Sequence, residues 1–184
     1  MLEKHLGGHS SVTHLDEGSL NWFKSLGHQT FLDIGCGPGG MVELAETLGF
    51  NSFGIDGDYT LKRYNDNNFM LHDFTHGPAP ITELYDIGWS VEFVEHVEEK
   101  YIPNYVQAML QCKNLVITHA VVGQTGHHHV NCQDPLYWIN TMKTYGFKLD
   151  EDKTAELRNV TTLGTKKKHR FIQKTGMYFV NENI

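Results

Sequence analysis

A carboxylate followed by a glycine-rich turn is the first feature of the chain that could do chemistry. Residues 31–40 read Phe-Leu-Asp-Ile-Gly-Cys-Gly-Pro-Gly-Gly, which places Asp33 at the end of a short apolar run. Gly35, Gly37 and Gly39 lack the Cβ atoms that would hold a ligand away from the backbone. A helix is expected to follow, and its free N–H groups point back toward the turn. The segment therefore predicts a binding site for a nucleoside-bearing ligand.

Two classes of cofactor use such a turn. The spacing Gly35-x-Gly37-x-x-Gly40 also fits the dinucleotide fingerprint, in which a pyrophosphate lies at the helix N-terminus. Asp33 would repel a pyrophosphate and instead favours a cationic ligand. The segment resembles motif I of the class I S-adenosylmethionine (AdoMet) methyltransferases, whose cofactor carries an ammonium and a sulfonium group. The resemblance implies that AdoMet is bound by Asp33, Gly35, Cys36, Gly37 and Gly39.

Further carboxylates follow the next two predicted strands. Asp56 lies about twenty residues beyond the first glycine, where an acidic side chain can accept hydrogen bonds from ribose hydroxyls. Gly57, which follows it, is also expected to bind the cofactor. The resemblance places Asp73 near the adenine amine and Phe74 beside the adenine ring. An Asp after a strand is also a common turn residue. The succession of three such acids, beginning with Asp33, favours cofactor binding.

The segment 86–97 supplies a fourth predicted strand and the turn after it. It reads Asp-Ile-Gly-Trp-Ser-Val-Glu-Phe-Val-Glu-His-Val and resembles the corresponding segment of many small-molecule methyltransferases. The resemblance implies that Trp89 and Ser90 contact the methionine end of the cofactor and that Glu92 lies at the mouth of the substrate pocket. Packing is an equal alternative for the large ring of Trp89. The Glu-His pair near the end of the segment is interpreted as scaffolding at a helix start.

Histidines are unusually frequent, with twelve in 184 residues, and most lie in two segments. The resemblance implies that the N-terminal segment closes over the cofactor and that the loops after strands four and five form the acceptor site. Both groups are therefore expected to face one cavity. Neighbours on an extended backbone alternate sides, so at most two members of the triplet 127–129 should face it. The two groups are His5, His9 and His14, and His119 with His127, His128 and His129.

Three roles remain open for these imidazoles. One of them is a general base that takes the acceptor's proton, a role suited to a group that titrates near neutrality. Alternatively, several imidazoles hold a divalent metal, or they only line the pocket. We predict a base and no bound metal, with the base drawn from His119, His127 and His129. Contacts to the acceptor are predicted for His9, His14, Glu92, His128 and Tyr137.

Alternating strand and helix patterns must position these side chains. Such alternation predicts a parallel sheet with helices on both faces, in which ligands bind at the carboxyl ends of the strands. The resemblance adds a seventh strand inserted antiparallel. The predicted fold class is therefore α/β, a doubly wound, mostly parallel seven-stranded sheet. Strands are predicted at 31–34, 51–55, 69–71, 86–90, 114–121 and 176–180, and helices at 41–48, 102–112 and 135–145.

Length and charge limit the remaining possibilities. The 184 residues, 40% of them hydrophobic, support a single domain over 1–184, with 1–28 as an N-terminal lid and helix segment. The net charge of −7 argues against DNA as a partner. The basic cluster 166–170, with Lys174 nearby, is interpreted as a solvated face.

Cysteine usage and the absence of long apolar runs favour a cytoplasmic protein. Cys36, Cys112 and Cys132 form no Cys-x-x-Cys pair and suit a reducing compartment. The sequence has no run long enough to span a membrane and no signal-peptide core at its start.

The combined expectation is methyl transfer from AdoMet to a hydroxyl or amine of a small-molecule or glycan acceptor. A homodimer is left open. Two alternatives come from other classes. One is an AdoMet-binding regulatory subunit without activity, against which the histidines argue. The other is a nicotinamide-dependent oxidoreductase, which usually needs a second domain for which this chain has no room.

Overall fold

The computed structural model describes residues 2–164 and 169–184, so Lys166, Lys167 and Lys168 of the predicted basic face lie outside the described residues. The strands are β1 (Thr30–Ile34), β2 (Asn51–Asp56), β3 (Phe69–Leu71), β4 (Tyr85–Ser90), β5 (Cys112–Ile117), β6 (Phe147–Leu149) and β7 (Met177–Asn181). The α-helices are α1 (Glu17–Ser25), α2 (Gly40–Thr47), α3 (Ile102–Met109), α4 (Pro135–Thr144), α5 (Glu151–Val160) and α6 (Phe171–Thr175).

The seven strands form one sheet in the order β3-β2-β1-β4-β5-β7-β6. The pairs from β3 through to β5 are all parallel, whereas β7 runs antiparallel to both of its neighbours. The predicted fold class is confirmed, including the inserted antiparallel strand. This insertion differs from the dinucleotide-binding order 3-2-1-4-5-6, and it argues against the oxidoreductase alternative.

Each face of the sheet carries its own hydrophobic core. Along β1, Phe31 faces one core and Leu32 the other, as expected from the alternation of side chains on a strand. The Leu32 core is closed by buried side chains of α3 and α4, such as Tyr105 and Trp138. The Phe31 core is closed by side chains of α1, α2 and α5, including Phe23. Helices therefore cover both faces, and the carboxyl ends of the parallel strands stay free to form a site.

The fifth strand is shorter than its apolar sequence predicts. It begins at Cys112, inside the segment predicted as helix, and ends at Ile117, although residues 118–121 continue the predicted run. Its partners decide the end, because Ile117 pairs with Ser90 on one side and with Met177 on the other, and the chain then leaves the sheet. His119 consequently lies beyond the sheet.

The first helix is fixed to the far end of the chain by one buried carboxylate. Asp16 caps α1 by accepting a hydrogen bond from the Ser19 amide, and it also accepts from the Thr162 amide and the Thr161 hydroxyl. This arrangement leaves residues 2–14 to cross the carboxyl edge of the sheet. No helix within 2–164 or 169–184 is both long and apolar enough to cross a membrane.

Candidate functional site

A cavity of about 430 Å³ lies at the carboxyl edge of the sheet. Its walls are the glycine turn after β1, the residues that follow β2, β3 and β4, the N-terminal segment and the histidine triplet. The predicted residues that line it are Asp33, Gly35, Cys36, Gly37, Asp56, Gly57, Asp73, Phe74, Trp89, Glu92, His9, His14, His127, His128 and His129. Four predicted site residues are not among its described walls, namely Gly39, Ser90, His119 and Tyr137.

The glycine turn is held in a backbone shape that a larger residue would disrupt. Gly35 has a φ of +80°, and a Cβ at this position would lie 2.1 Å from the Phe93 ring. Gly39 caps α2 with a φ of +86°, and its Cβ would lie 2.4 Å from the Phe69 ring. The need for Gly39 is thus explained by packing behind the turn. Gly35, in contrast, faces the cavity.

Three carboxylates from neighbouring strands meet around the cavity. Asp33 is buried, and burial raises the pKa of its carboxyl well above the usual range, with a further rise from the nearby Asp56 charge. Asp56 accepts hydrogen bonds from the Gly37 amide and the Asp58 amide, both at 2.8 Å. Burial acts to raise the pKa of Asp73, but hydrogen bonds from His5 and Thr75 lower it overall. This end of the cavity is therefore rich in hydrogen-bond acceptors.

Arg63 is a residue beside the site that no sequence pattern indicates. Its Nε donates to the Gly37 carbonyl at 3.2 Å, and its guanidinium lies 3.5 Å from the Asp56 carboxylate and over the Phe69 ring. Arg63 supports the turn from behind and is not part of the described cavity wall. No motif marks it, because it lies in an irregular stretch between β2 and β3.

The N-terminal segment crosses the cavity through its histidines. The His5 Nε2 bonds to the Asp73 carboxylate at 2.8 Å, and the His9 Nε2 bonds to the Asp58 carboxylate at 3.1 Å. Thr13 adds a third link, since its hydroxyl accepts from the first amide of α2. We call residues 2–14 the N-terminal strap. His14, at its end, packs edge-on against His169 with ring centroids 4.7 Å apart.

Of the residues after β3 and at the end of β4, some line the cavity and others pack in the core or link strands. Phe74 lies edge-on to Phe93, with ring centroids 5.8 Å apart. Trp89 reaches the cavity but is 2% exposed and contacts the Phe23 and Phe31 rings, so it also serves the core. The fully buried Ser90 donates its hydroxyl hydrogen to the Ile34 carbonyl at 3.0 Å and ties β4 to β1.

Glu92 is the acid nearest the end of β4, and its backbone is unusual. Its φ is +56°, a left-handed conformation that is rare for a residue other than glycine. The Thr118 hydroxyl accepts from the Glu92 amide and donates to the Glu92 carboxylate. Burial raises the pKa of Glu92 to about 7, although the Thr118 hydrogen bond and the Lys174 charge act to lower it. At neutral pH this carboxyl group can both hold and release a proton.

All three residues of the histidine triplet line the cavity, so the expectation that at most two would do so is wrong. Neighbouring side chains alternate sides only on an extended backbone. The chain instead turns at His127 and His128, and His128 has a φ of +46°. The His127 Nε2 is 3.0 Å from the Lys4 carbonyl oxygen, to which it donates. This hydrogen bond joins the triplet to the N-terminal strap and keeps that nitrogen protonated.

His119 and Tyr137 lie away from the cavity. His119 is buried, with its ring centroid 6.4 Å from that of Trp138 on α4 and its Nδ1 3.3 Å from the Ala120 carbonyl oxygen. Burial lowers the pKa of His119. The Tyr137 hydroxyl donates to the Glu99 carboxylate at 2.8 Å. His119 lies outside the cavity because β5 ends early and the chain then runs toward α4. These positions argue against direct contact of either side chain with a ligand in the cavity.

The Glu-His pair after β4 is the most notable departure from the sequence interpretation. Glu95 is fully buried, and neither of its carboxylate oxygens has a hydrogen-bond partner. Burial, with a smaller contribution from the Glu92 charge, raises the pKa of Glu95 well above its usual range. Burial also lowers the pKa of His96 to about 4. One ligand atom each from Glu95, His96 and His129 lies within 4.8 Å of the others. The pair is thus part of a polar cluster at the cavity wall.

No family model and no curated protein matches the chain. Several solved structures are similar to the chain. A TehB-like SAM-dependent methyltransferase from Corynebacterium glutamicum is 14% identical, with 89% of this chain and 87% of that chain covered and a TM-score of 0.61. The methyltransferase domain of a bacterial Hen1 protein is also 14% identical, with 88% and 92% covered and a TM-score of 0.59.

Magnesium protoporphyrin IX methyltransferase from Synechocystis, solved with bound SAM, is 16% identical, with 87% of this chain and 74% of that chain covered and a TM-score of 0.57. The shared feature of these structures is their fold. The chain therefore has the fold of the class I AdoMet-dependent methyltransferases.

Proposed function

We propose that the protein is an AdoMet-dependent methyltransferase that acts on a hydroxyl or amine of a small-molecule or glycan acceptor. The observation that carries the proposal is the row formed by Asp33, Asp56 and Asp73, which lie within two residues of the carboxyl ends of three adjacent strands and line one cavity. AdoMet offers hydrogen-bond donors at its ammonium, its ribose hydroxyls and its adenine amine. Three acceptors in a row match this set.

Electrostatics favours AdoMet over a dinucleotide. The proximity of Asp33 and Asp56 raises the pKa of Asp33 in addition to the effect of burial, and a pyrophosphate would add more negative charge to the same place. A cation would instead stabilise the ionised carboxylates. Arg63 does not reverse this preference, because Asp56 neutralises it behind the turn.

The transfer step needs little covalent help from the protein. The acceptor oxygen or nitrogen attacks the methyl carbon, the carbon–sulfur bond breaks, and S-adenosylhomocysteine and the methylated acceptor result. The protein has to hold the acceptor in line with the sulfonium and take up its proton. A cavity that the N-terminal strap crosses suits both tasks.

We assign the proton uptake to Glu92 in preference to the histidines. Glu92 lines the cavity and has a pKa of about 7, which is close to the ideal for a general base at neutral pH. His119 lies outside the cavity wall, and the His127 Nε2 is committed to a backbone carbonyl. His9, His14 and His128 are proposed to contact the acceptor from the strap and the triplet.

Titration calorimetry with AdoMet, S-adenosylhomocysteine and NAD tests the proposal. Binding of the first two and not of NAD is expected, because NAD would bring the negative charge of its pyrophosphate beside the Asp33 and Asp56 carboxylates. A stronger response to NAD would overturn the cofactor assignment. An acceptor screen with methyl-labelled AdoMet then separates an enzyme from a regulatory subunit, which would bind AdoMet and transfer nothing.

A further inference from the structure

A buried carboxylate next to His96, which lines the cavity, has no role in the proposed binding of AdoMet. Glu95 is fully buried, and both of its carboxylate oxygens lack a hydrogen-bond partner. Buried polar atoms in proteins nearly always have such a partner, so an exception calls for a bound group. A carboxylate that is isolated in this way is costly unless a positive charge lies beside it.

Two imidazoles beside Glu95 are arranged to accept a cation. The Nδ1 of His96 lies 2.7 Å from the His127 carbonyl oxygen, and the Nδ1 of His129 lies 3.2 Å from the Gln124 carbonyl oxygen. A carbonyl oxygen only accepts hydrogen bonds, so each Nδ1 carries the hydrogen. The neutral tautomer then has its lone pair on Nε2. Histidines that bind metals are typically held by a hydrogen bond of this kind.

The backbone fixes His129 beside Glu95. The amides of Val130 and Asn131 both donate to the backbone carbonyl oxygen of Glu95, at 2.9 and 3.1 Å. The loop that carries His129 is therefore attached to the residue that carries the isolated carboxylate. His96 is the next residue in the chain, so all three side chains are positioned by a few local contacts.

We propose that Glu95, His96 and His129 bind a divalent first-row transition metal, such as Mn²⁺ or Zn²⁺. Their ligand atoms lie within 4.8 Å of one another, whereas atoms around one such ion at about 2.1 Å stand roughly 3–4 Å apart. The cluster thus has to contract by about 1 Å when the ion binds. Two nitrogens and one oxygen favour these ions over Mg²⁺ and Ca²⁺, which prefer oxygen ligands.

The metal would lie at the cavity surface. His96 and His129 both line the cavity, and three protein ligands leave coordination positions open toward it. An acceptor hydroxyl is the group that would occupy such a position, and this step rests on the proposed methyl transfer. The binding of the ion itself does not rest on it.

Metal titration of the whole chain, without AdoMet or acceptor, tests the site. Protein treated with EDTA and dialysed is titrated with MnCl₂ while the free ion is followed by electron paramagnetic resonance, and parallel titrations use ZnCl₂ and MgCl₂. One Mn²⁺ per chain is expected, with weaker binding of Mg²⁺. His129→Gln should weaken Mn²⁺ binding by at least roughly tenfold, the loss typical even for residues that only support a ligand. His128→Gln, the adjacent triplet residue outside the cluster, is the matched control and should bind like the parent.

Thermal unfolding with and without Mn²⁺ tests the site even in a variant that is less stable, because the change in Tm is measured within each variant. Mn²⁺ should raise the Tm of the parent and of His128→Gln, because an ion that binds only the folded chain stabilises it. It should raise the Tm of His129→Gln and of Glu95→Gln clearly less than that of the parent. If Glu95→Gln does not fold, the loop variant His129→Gln still decides. The absence of stoichiometric Mn²⁺ or Zn²⁺ binding, or equal binding by His129→Gln and the parent, would overturn the metal site without affecting the AdoMet proposal.

Discussion

Single side chains in this site serve the fold and the ligand together, and Asp56 is the clearest case. Its carboxylate holds the Gly37 and Asp58 amides and also lines the cavity. Asp56→Ala should weaken AdoMet binding by about 1.5–3 kcal/mol, the usual cost of losing hydrogen bonds to a charged group. Calorimetry measures the change in Kd, and circular dichroism checks the fold.

The exposed Asp66 provides the matched control for this substitution. Asp66→Ala removes the same charge at a position outside the described cavity wall and should bind AdoMet like the parent. An Asp56→Ala protein that is folded and binds AdoMet normally would refute the ribose assignment.

Glu92 provides the second prediction at the residue scale. Glu92→Gln keeps the shape of the side chain but cannot take a proton, so turnover should fall on the order of a hundredfold or more while AdoMet affinity stays nearly constant. Initial rates are measured with the acceptor found by the labelling screen. The same assay on His127→Gln tests the prediction that a histidine is the base. A large loss of turnover in His127→Gln, together with normal turnover of Glu92→Gln, would return the role of base to the triplet.

Site residues could be predicted from the sequence only where they belong to a recognisable motif. The chain positions of Asp33, Asp56 and Asp73 follow from strand ends, and all three do line one cavity. Arg63 and Asp58 were not predictable, because their partners come from distant segments and an irregular stretch has no periodicity. His119 shows that a small error in the predicted end of a strand is enough to misplace a site residue, because β5 ends earlier than predicted and His119 lies outside the cavity.

At the scale of elements, Asp86 joins three strands at the end of the sheet opposite the cavity. It accepts hydrogen bonds from the Gln29 and Thr30 amides and forms an ion pair with Lys113 at 2.9 Å. Burial acts to raise the pKa of Asp86, but Lys113 and the two amides outweigh it and lower the pKa to about 2. A carboxyl group whose pKa falls on folding stabilises the fold above its unfolded pKa and loses that effect as the pH falls through the folded pKa.

Asp86→Asn should therefore reduce the free energy of unfolding by about 1–2 kcal/mol at pH 7, after allowance for solvent screening at the exposed Lys113. The difference from the parent should shrink between about pH 4 and pH 2, where the parent carboxylate becomes protonated. Urea unfolding at several pH values measures it, with the exposed Asp152→Asn as the control. A difference that does not change with pH would show that the charge of Asp86 is not the cause.

Elements were predicted well where local signals agreed. The helix predicted at 135–145 matches α4, which begins at Pro135 and is capped by Asp134, whose side chain accepts from the Tyr137 amide. The strands β2 and β3 were placed within a residue of their ends. The prediction of an extended backbone at 127–129 was wrong because neither of the two turn residues, His127 and His128, is a glycine or asparagine that would signal a turn, although His128 has a positive φ.

At the scale of the whole molecule, alternation of strands and helices was enough to predict a doubly wound sheet, and the family resemblance supplied the inserted strand. The cluster of Glu95, His96 and His129 was not predictable. His129 follows His96 by thirty-three positions, with α3 and β5 between them, and the backbone contacts that bring the three residues together involve no recognisable motif. Burial of a carboxylate without a partner becomes visible only in the folded chain.

The position of β7 also has a consequence for how the protein is made. Ile117 in β5 pairs with Met177 in β7, sixty residues later in the chain. A ribosome adds about 5–20 residues per second, so roughly 3–12 seconds pass between the two. During translation β5 therefore keeps an open edge, the part of an unfinished sheet that pairs most readily with other chains. Nascent chains that stall before residue 177 should be the ones most in need of chaperones.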